Sequence, residues 1–173
     1  GEKKTVAYLV EQFRKLGLQP GNPDGSYVQK VPLVGITASP APLVLRKGGQ
    51  SLELRWREDV VTWTKRVSEE AAIDASEVVF VGYGINAPEL GWNDYEGVDM
   101  HGKIAVILIN DPDFETGDDR GFGGRAMTYY GRWTYKFEEA GRQGAAGAII
   151  IHETAPAAYP WAVIQSSTGS ARW

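Results

Sequence analysis

The sequence lacks cysteine, and it holds only two histidines, His101 and His152, among its 173 residues. Without cysteine the chain can form no disulfide, thiolate nucleophile or cysteine-ligated zinc site. Two histidines are too few for a reaction that needs several imidazole ligands. The absence of cysteine leaves the cellular compartment open, because a protein of any compartment can do without disulfides.

The dipeptide His152-Glu153 begins like an H-E-x-x-H zinc-protease helix, but Pro156 stands where the second histidine is required. We therefore exclude this motif and predict that His152 lies at the end of a buried strand. His101 is predicted to lie in a solvated turn, because Met100 and Gly102 flank it in a turn-rich stretch.

An excess of positive charge and long apolar runs are also missing. Lysine and arginine total 18 against 22 acidic residues, which gives a net charge of -4. We therefore expect no nucleic-acid partner. The longest apolar run, residues 104–109, is far shorter than the ~20 residues of a membrane helix, so no membrane span is expected. The N-terminus carries no apolar run of the signal-peptide kind.

The composition is that of a globular domain, with 43% hydrophobic and 23% charged residues. In the first part of the chain, apolar spacing predicts a helix over residues 5–16. Residues 27–34 are predicted to form an edge strand. Residues 43–46 and 52–56 are predicted to form a hairpin around a Gly-Gly turn, with one buried face. A further β-rich run covers residues 60–67.

The second part of the chain has a different pattern. Apolar residues predict a strand over residues 78–81 and a strand buried on both faces over residues 104–109. A helix over residues 130–143 leads through a glycine-rich turn into a strand over residues 148–151. This order of strand, helix and strand predicts a parallel crossover unit.

Residues 111–119 carry five acidic side chains. Their oxygens suit a hard cation such as Ca²⁺, although the spacing is not that of an EF-hand loop. The alternative is an exposed acidic loop at the carboxyl end of a buried strand, where α/β proteins also place functional loops.

Residues 125–135 combine two arginines with four large aromatic rings, a composition typical of binding surfaces. Helical spacing assigns Trp133 and Phe137 to the core. The candidate substrate-binding residues are therefore Arg125, Tyr129 and Arg132. The residues alone offer no Ser/His/Asp or Cys/His arrangement, and so they predict no active site.

Four segments of the second part resemble the protease-associated domain. They read V-F-V-G-Y-G at residues 79–84, W-N-D-Y at 92–95, V-D-M-H-G-K-I-A-V at 98–106 and K-F-E-E-A-G-R-Q-G-A-A-G-A-I-I-I at 136–151. The strand entry V-D-x-x-G-K-I, followed by the helix-to-strand turn A-x-x-x-G-A-A-G-A-I-I, is a specific combination.

Residues 5–34 resemble the N-terminal helix and strand of the co-catalytic zinc aminopeptidases, the family that includes glutamate carboxypeptidase II. In that family a protease-associated domain is inserted early in the peptidase domain. The resemblance predicts an N-terminal peptidase segment over residues 1–67 and a protease-associated domain over residues 68–173. The expected fold is mixed α/β: a β-rich, sandwich-like domain with one or two flanking helices, and a small N-terminal helix-strand piece.

The family's two zinc ions are held by histidines and carboxylates that follow the inserted domain and open with a His-x-Asp motif. The sequence reaches Trp173 without such a motif. We therefore expect the front part of a longer peptidase, with no catalytic or metal-binding residue and no cofactor of its own. The chain alone is then not an enzyme, and the two zinc ions belong to the full-length enzyme.

The resemblance implies a non-catalytic lid that shapes the access of a peptide substrate to the peptidase domain. Arg125, Tyr129 and Arg132 are then expected to contact substrate carbonyl or carboxylate groups. Bacterial members of the family are usually exported, so we expect a periplasmic or secreted protein. The helix over residues 5–16, separated from its peptidase sheet, is expected to dock on another apolar surface, as in a dimer.

Two other functions remain open. A free-standing peptide- or carbohydrate-binding module would use the aromatic rings of residues 125–135, and a natural stop after Trp173 would favour it. A structural domain that depends on a cation would use the acidic residues 111–119.

Overall fold

The structure is a computed structural model that describes residues 1–168. It divides them into two compact units, residues 1–36 and residues 37–168. The division predicted near residue 67, where the sequence pattern changes, is not tested by these two units and stays a prediction. Residues 169–173, which end the predicted second domain, lie outside the described residues.

The first unit contains helix α1 (Glu2–Lys15). The predicted helix is confirmed, although it begins at Glu2 and not at Thr5, the first residue of the predicted range. Glu2 in the first turn and Arg14 and Lys15 in the last complement the helix dipole. The chain leaves the helix through Gly17, whose φ of 71° suits a glycine at a helix end. Every side chain of α1 is at least partly exposed.

The predicted strand over residues 27–34 is absent from the described structure, where this stretch is irregular. Its apolar side chains are exposed, with Val31 at 66% and Leu33 at 67%. A strand needs a neighbour to accept its backbone hydrogen bonds, and the pattern of β-forming residues does not supply one. The stretch is anchored at its start, where the Tyr27 hydroxyl donates to the Leu18 carbonyl at 2.6 Å.

The second unit begins with an antiparallel hairpin of β1 (Leu43–Lys47) and β2 (Gln50–Leu54). The predicted hairpin is confirmed, and both turn glycines, Gly48 and Gly49, have positive φ. The predicted buried face is wrong, because Leu52 is 57% exposed. The predicted β-rich run over residues 60–67 contributes only one bridge, between Trp56 and Val60.

The strands of the second unit after the hairpin are β3 (Val78–Phe80), β4 (Asn86–Ala87), β5 (Trp92–Asn93), β6 (Ile104–Leu108) and β7 (Gly147–Ile151). Its α-helices are α2 (Pro112–Thr116), α3 (Trp133–Arg142), α4 (Thr154–Ala157) and α5 (Trp161–Ser167). The central sheet has three parallel strands in the order β3-β6-β7. Helix α3 packs on β7 and connects β6 to it, so the predicted parallel crossover is confirmed.

The two faces of this sheet are covered to different degrees. Val79, Ala105 and Ala148 lie side by side on one face and pack in a core with Ala140 of α3. Val78 and Phe80 lie on the opposite face and are 44% and 60% exposed. The interior strand β6 is buried or half-buried at every position, as predicted.

The predicted mixed α/β class is confirmed, since helices and small sheets both contribute to the second unit. Within residues 1–168 the strands form three small sheets, and helical residues outnumber strand residues. The fold is therefore less rich in β-structure than the resemblance suggested.

Candidate functional site

An open pocket of about 260 Å³ lies at the carboxyl ends of the parallel strands β6 and β7, next to the start of helix α3. Open α/β sheets tend to bind ligands at this edge. The pocket has two polar lining residues, Arg132 and Thr134, and five mainly apolar ones: Ile109, Met127, Trp133, Ala157 and Tyr159. Three separate stretches of the chain therefore build its wall.

Arg132 is the predicted binding residue that lines this pocket. Its side chain is exposed, and its guanidinium makes no hydrogen bond or ion pair within residues 1–168. The backbone of Arg132 has a role of its own, because its carbonyl accepts the Lys136 N–H at 3.2 Å and so starts the helix. The guanidinium remains available to a ligand.

The other two predicted binding residues lie outside the pocket wall. Tyr129 is exposed, but its hydroxyl donates to the Glu138 carboxylate at 2.6 Å, which raises the pKa of the Tyr129 phenol. Its ring also packs edge-to-face on Tyr135, with the centroids 5.6 Å apart. Arg125 is exposed on the preceding loop, and its guanidinium is unpaired within the described chain. The role of all three residues in substrate binding stays a prediction.

The acidic residues 111–119 are not simply an exposed loop, because Asp111 and Asp113 are fully buried. Asp113 pairs with Arg120, whose Nε donates to Oδ1 at 3.0 Å. The backbone N–H groups of Arg120 and Phe122 donate to the other oxygen at 2.8 and 3.0 Å. Burial acts to raise the pKa of Asp113, but these hydrogen bonds outweigh it and lower the pKa.

Arg125 and Arg132 form no ion pair with these acidic residues within the described part of the chain, where Arg120 pairs with Asp113. One of the five carboxylates, that of Asp113, is therefore bound to a guanidinium. In residues 1–168 no three His, Asp or Glu side chains gather in a way that would hold a metal ion.

Asp111 and Lys136 are both buried and their charges interact, although they form no salt bridge within the described residues, and the sequence did not predict this arrangement. Asp111 Oδ2 accepts from the Thr128 N–H at 3.2 Å and from its hydroxyl at 2.9 Å. Asp111 Oδ1 is buried without a hydrogen-bond partner in the part of the chain described. Burial raises the pKa of Asp111, although Thr128 and Lys136 oppose the shift.

The Lys136 ammonium donates to the Tyr83 carbonyl at 2.6 Å and lies 5.8 Å from the centre of the Tyr83 ring. Burial lowers the pKa of Lys136 to about 7, while the carboxylates of Asp111 and Asp94 act in the opposite direction. A signal was present in the sequence: Lys136 precedes Ala140 by one helical turn, and residues so spaced share a face of the helix.

The setting predicted for His101 is confirmed, whereas His152 follows a strand as predicted but that strand, β7, is half-buried and not buried. His152 follows β7, and its Nε2 lies 3.1 Å from the Tyr159 carbonyl oxygen, with the rings of Tyr159 and Trp161 beside it. His101 lies in an exposed turn, where its backbone N–H donates to Asp99.

Comparisons with protein-family models, with curated proteins and with solved structures find no match to this chain. Among the described residues, no helix has the length and apolar character needed to cross a membrane.

Proposed function

We propose that the chain is a non-catalytic accessory region of a zinc-dependent aminopeptidase, in which it shapes the access of a peptide substrate to the catalytic domain. The two specific motifs of the resemblance occupy fitting places in the fold. V-D-x-x-G-K-I leads into β6, and A-x-x-x-G-A-A-G-A-I-I joins α3 to β7. Under this proposal the two zinc ions and their ligands belong to the catalytic domain, and the protein is periplasmic or secreted.

The observation that carries the proposal is the guanidinium of Arg132, which has no partner within residues 1–168 and lies beside an open, mainly apolar pocket. A guanidinium offers a planar fork of donors to a carboxylate or carbonyl group. Arg125, on the loop before it, adds a second guanidinium without a partner among the described residues. Tyr129, fixed by Glu138, presents an exposed ring beside them. A peptide substrate has the matching groups.

Helix α1 has an exposed apolar stripe that fits the same proposal, with Leu9 at 45%, Phe13 at 40% and Leu16 at 74% exposed. In the family this helix belongs to the catalytic domain, which would cover the stripe. A second copy of the chain, forming a dimer through this helix, is the alternative cover.

The test is kinetic and uses the complete peptidase that contains this chain. Arg132→Ala and Arg125→Ala are each expected to lower kcat/KM about tenfold or more, because about 1.4 kcal/mol or more of transition-state binding is lost. The melting temperature should change little, since both side chains are exposed. Arg132→Lys keeps the charge but not the planar fork, so it should restore only part of the activity.

Arg46→Ala is the matched control, because Arg46 is an exposed arginine on the hairpin strand β1 and does not line the pocket. Unaltered kinetics in both pocket-side variants, or a loss equal to that of the control, contradicts the substrate-contact role. Zinc-dependent hydrolysis of aminoacyl substrates by the 173-residue chain itself would contradict the accessory role as a whole.

A free-standing peptide- or carbohydrate-binding module is the second candidate. It is favoured by exposed aromatic side chains: Trp133 in the pocket wall is 38% exposed, and Tyr129 outside the wall is 54% exposed. A sugar ring would stack on these aromatic faces without needing a guanidinium. Oligosaccharide binding by the chain that persists in Arg132→Ala would therefore favour this candidate over the peptidase region.

A further inference from the structure

The size of the pocket limits what it can hold. Pockets for whole drug-sized ligands measure roughly 300–1,000 Å³. The pocket at α3 measures about 260 Å³ and so fits a group the size of one amino-acid residue. Its wall is mainly apolar, because Met127, Trp133 and Tyr159 supply large side chains and Ile109 supplies an aliphatic one.

The electrostatics of the pocket favour a negative group. Arg132 precedes the first residue of α3, and its side chain does not cap the helix. The first turn of this ten-residue helix also carries no acidic residue. The backbone N–H groups of a first turn lack intrahelical acceptors and, together with the helix dipole, attract anions. The positive guanidinium and the positive helix end therefore act together.

The nearby carboxylates leave this positive character largely in place. Asp111 is buried, hydrogen-bonded to Thr128 and close enough to Lys136 for their charges to interact. Glu138 is exposed but accepts the Tyr129 hydroxyl.

We propose that the pocket binds the C-terminal residue of a peptide with an aromatic or branched apolar side chain. The carboxylate binds to Arg132 and the start of α3, and the side chain packs among Met127, Trp133 and Tyr159. This inference rests on the proposed function, because it names the substrate class that the accessory region admits: short peptides that end in an apolar residue. An acidic or glycine C-terminus is disfavoured, because neither fills the apolar wall.

The test measures binding to the 173-residue chain by calorimetry, with N-acetyl-L-phenylalanine as the probe. N-acetyl-L-phenylalaninamide, which lacks the carboxylate, should bind at least tenfold more weakly. N-acetylglycine and N-acetyl-L-aspartate, which lack the apolar side chain, should also bind at least tenfold more weakly. Equal binding of the acid and the amide, equal binding of phenylalanine and glycine, or no binding of the phenylalanine probe overturns the inference.

Two variants assign the binding to this pocket. Arg132→Ala should remove the difference between the acid and the amide, whereas Arg46→Ala should leave it unchanged. Met127→Glu places a negative charge in the half-buried wall and should weaken the acid probe tenfold or more. Trp133 is a poorer site for substitution because it packs on Trp63 and Phe137. If N-acetyl-L-phenylalanine binds equally well to the unmodified chain, to Arg132→Ala and to Met127→Glu, the inference is also overturned.

The two proposals fail in different ways. Selective binding by the chain, together with unchanged kinetics of both Arg132→Ala and Arg125→Ala in the complete peptidase, would refute the substrate-contact role and leave the pocket assignment intact. A kinetic loss in Arg132→Ala without selectivity for the apolar side chain would refute the pocket assignment alone.

Discussion

Helices α1 and α3 carry similar amphipathic patterns but differ in what covers them. The 14 side chains of α1 are all at least partly exposed, whereas α3 buries four of its ten residues. The buried residues of α3 include Lys136 and Glu139 beside Tyr135 and Ala140. Apolar periodicity did not identify the covered face of α3: it assigned Trp133 to the core, but this side chain is 38% exposed, and it did not indicate Lys136 or Glu139. Which face of a helix is covered depends on a partner element elsewhere in the chain.

The hairpin β1–β2 and the central sheet also differ in how far other elements cover them. The hairpin forms through local signals, a Gly-Gly turn and adjacent strands, and leaves Leu52 exposed. Strand β6 is paired on both sides and packs against a core that includes Ala140 of α3. Local chemistry is enough to form an element, but the stability of the second unit comes from contacts between distant segments.

The largest expected effect on stability distinguishes the buried strand β6 from the exposed helix α1. Ile107→Ala in β6 should lower the free energy of unfolding by about 2–5 kcal/mol, because Ile107 is fully buried and its loss leaves a cavity. Leu9→Ala in α1, where the side chain is 45% exposed, should cost less than about 1 kcal/mol. Urea unfolding followed by circular dichroism measures both. A loss for Leu9→Ala as large as that for Ile107→Ala would show that another molecule covers α1 in solution.

A smaller effect contrasts two glycines with positive φ, Gly84 at 60° and Gly17 at 71°. A Cβ on Gly84 would lie 2.9 Å from Ile107 Cγ2 and 3.0 Å from the Tyr95 hydroxyl, whereas one on Gly17 meets nothing within 4 Å. Gly17→Ala should therefore lower the free energy of unfolding only through backbone strain, by about 1–2 kcal/mol. Gly84→Ala should lower it by about 1–3 kcal/mol more, because the new methyl group overpacks the core. Thermal unfolding of both variants tests this order, and equal losses would contradict the close packing at Gly84.

The smallest effect is a pH dependence that belongs to Lys136. Burial lowers the pKa of Lys136 to about 7 in the folded chain, and an unfolded lysine titrates near ~10.4. Between these values the unfolded state binds a proton that the folded state lacks, so stability rises with pH. The expected slope is at most about 1.4 kcal/mol per pH unit.

Urea unfolding between about pH 7.5 and pH 9.5 measures this slope, below the range in which the tyrosines ionise. Lys136→Met should abolish it, because the side chain then carries no titrating group. Lys3→Met, on the exposed side of α1, is the control and should leave the slope unchanged. A slope that persists in Lys136→Met would assign the pH dependence to other groups.

Much of the second unit was predictable because its signals are local and strong. The apolar run at β6, the helical spacing of α3 and the glycine-rich turn before β7 indicated the crossover. The strands predicted over residues 27–34 and 60–67 failed because β-propensity does not reveal whether a partner strand exists. Arg120 shows the same limit: its pairing with buried Asp113 depends on how the loop after α2 folds back.

The candidate site was predictable only in part. Composition indicated Arg132, since arginine among aromatic rings is typical of a binding surface. The opposite wall of the pocket, formed by Ala157 and Tyr159, follows β7, and nothing in those residues indicates a site. The burial of Lys136 was not predictable for a related reason. Its ammonium donates to the carbonyl of Tyr83, which follows β3 and is far from Lys136 in the sequence.

The parallel pairing of β6 with β7 has a kinetic consequence. Ile104 pairs with Gly147, and the chain between them contains α2, the loop after it and α3. Such non-local contacts form slowly, because the entropy of closing a long loop is lost before the contacts stabilise the chain. Helix α3 and the hairpin are expected to form on the microsecond timescale. Assembly of the parallel sheet is therefore expected to limit the refolding rate, so that substitutions in β7 retard refolding and those in the hairpin scarcely affect it.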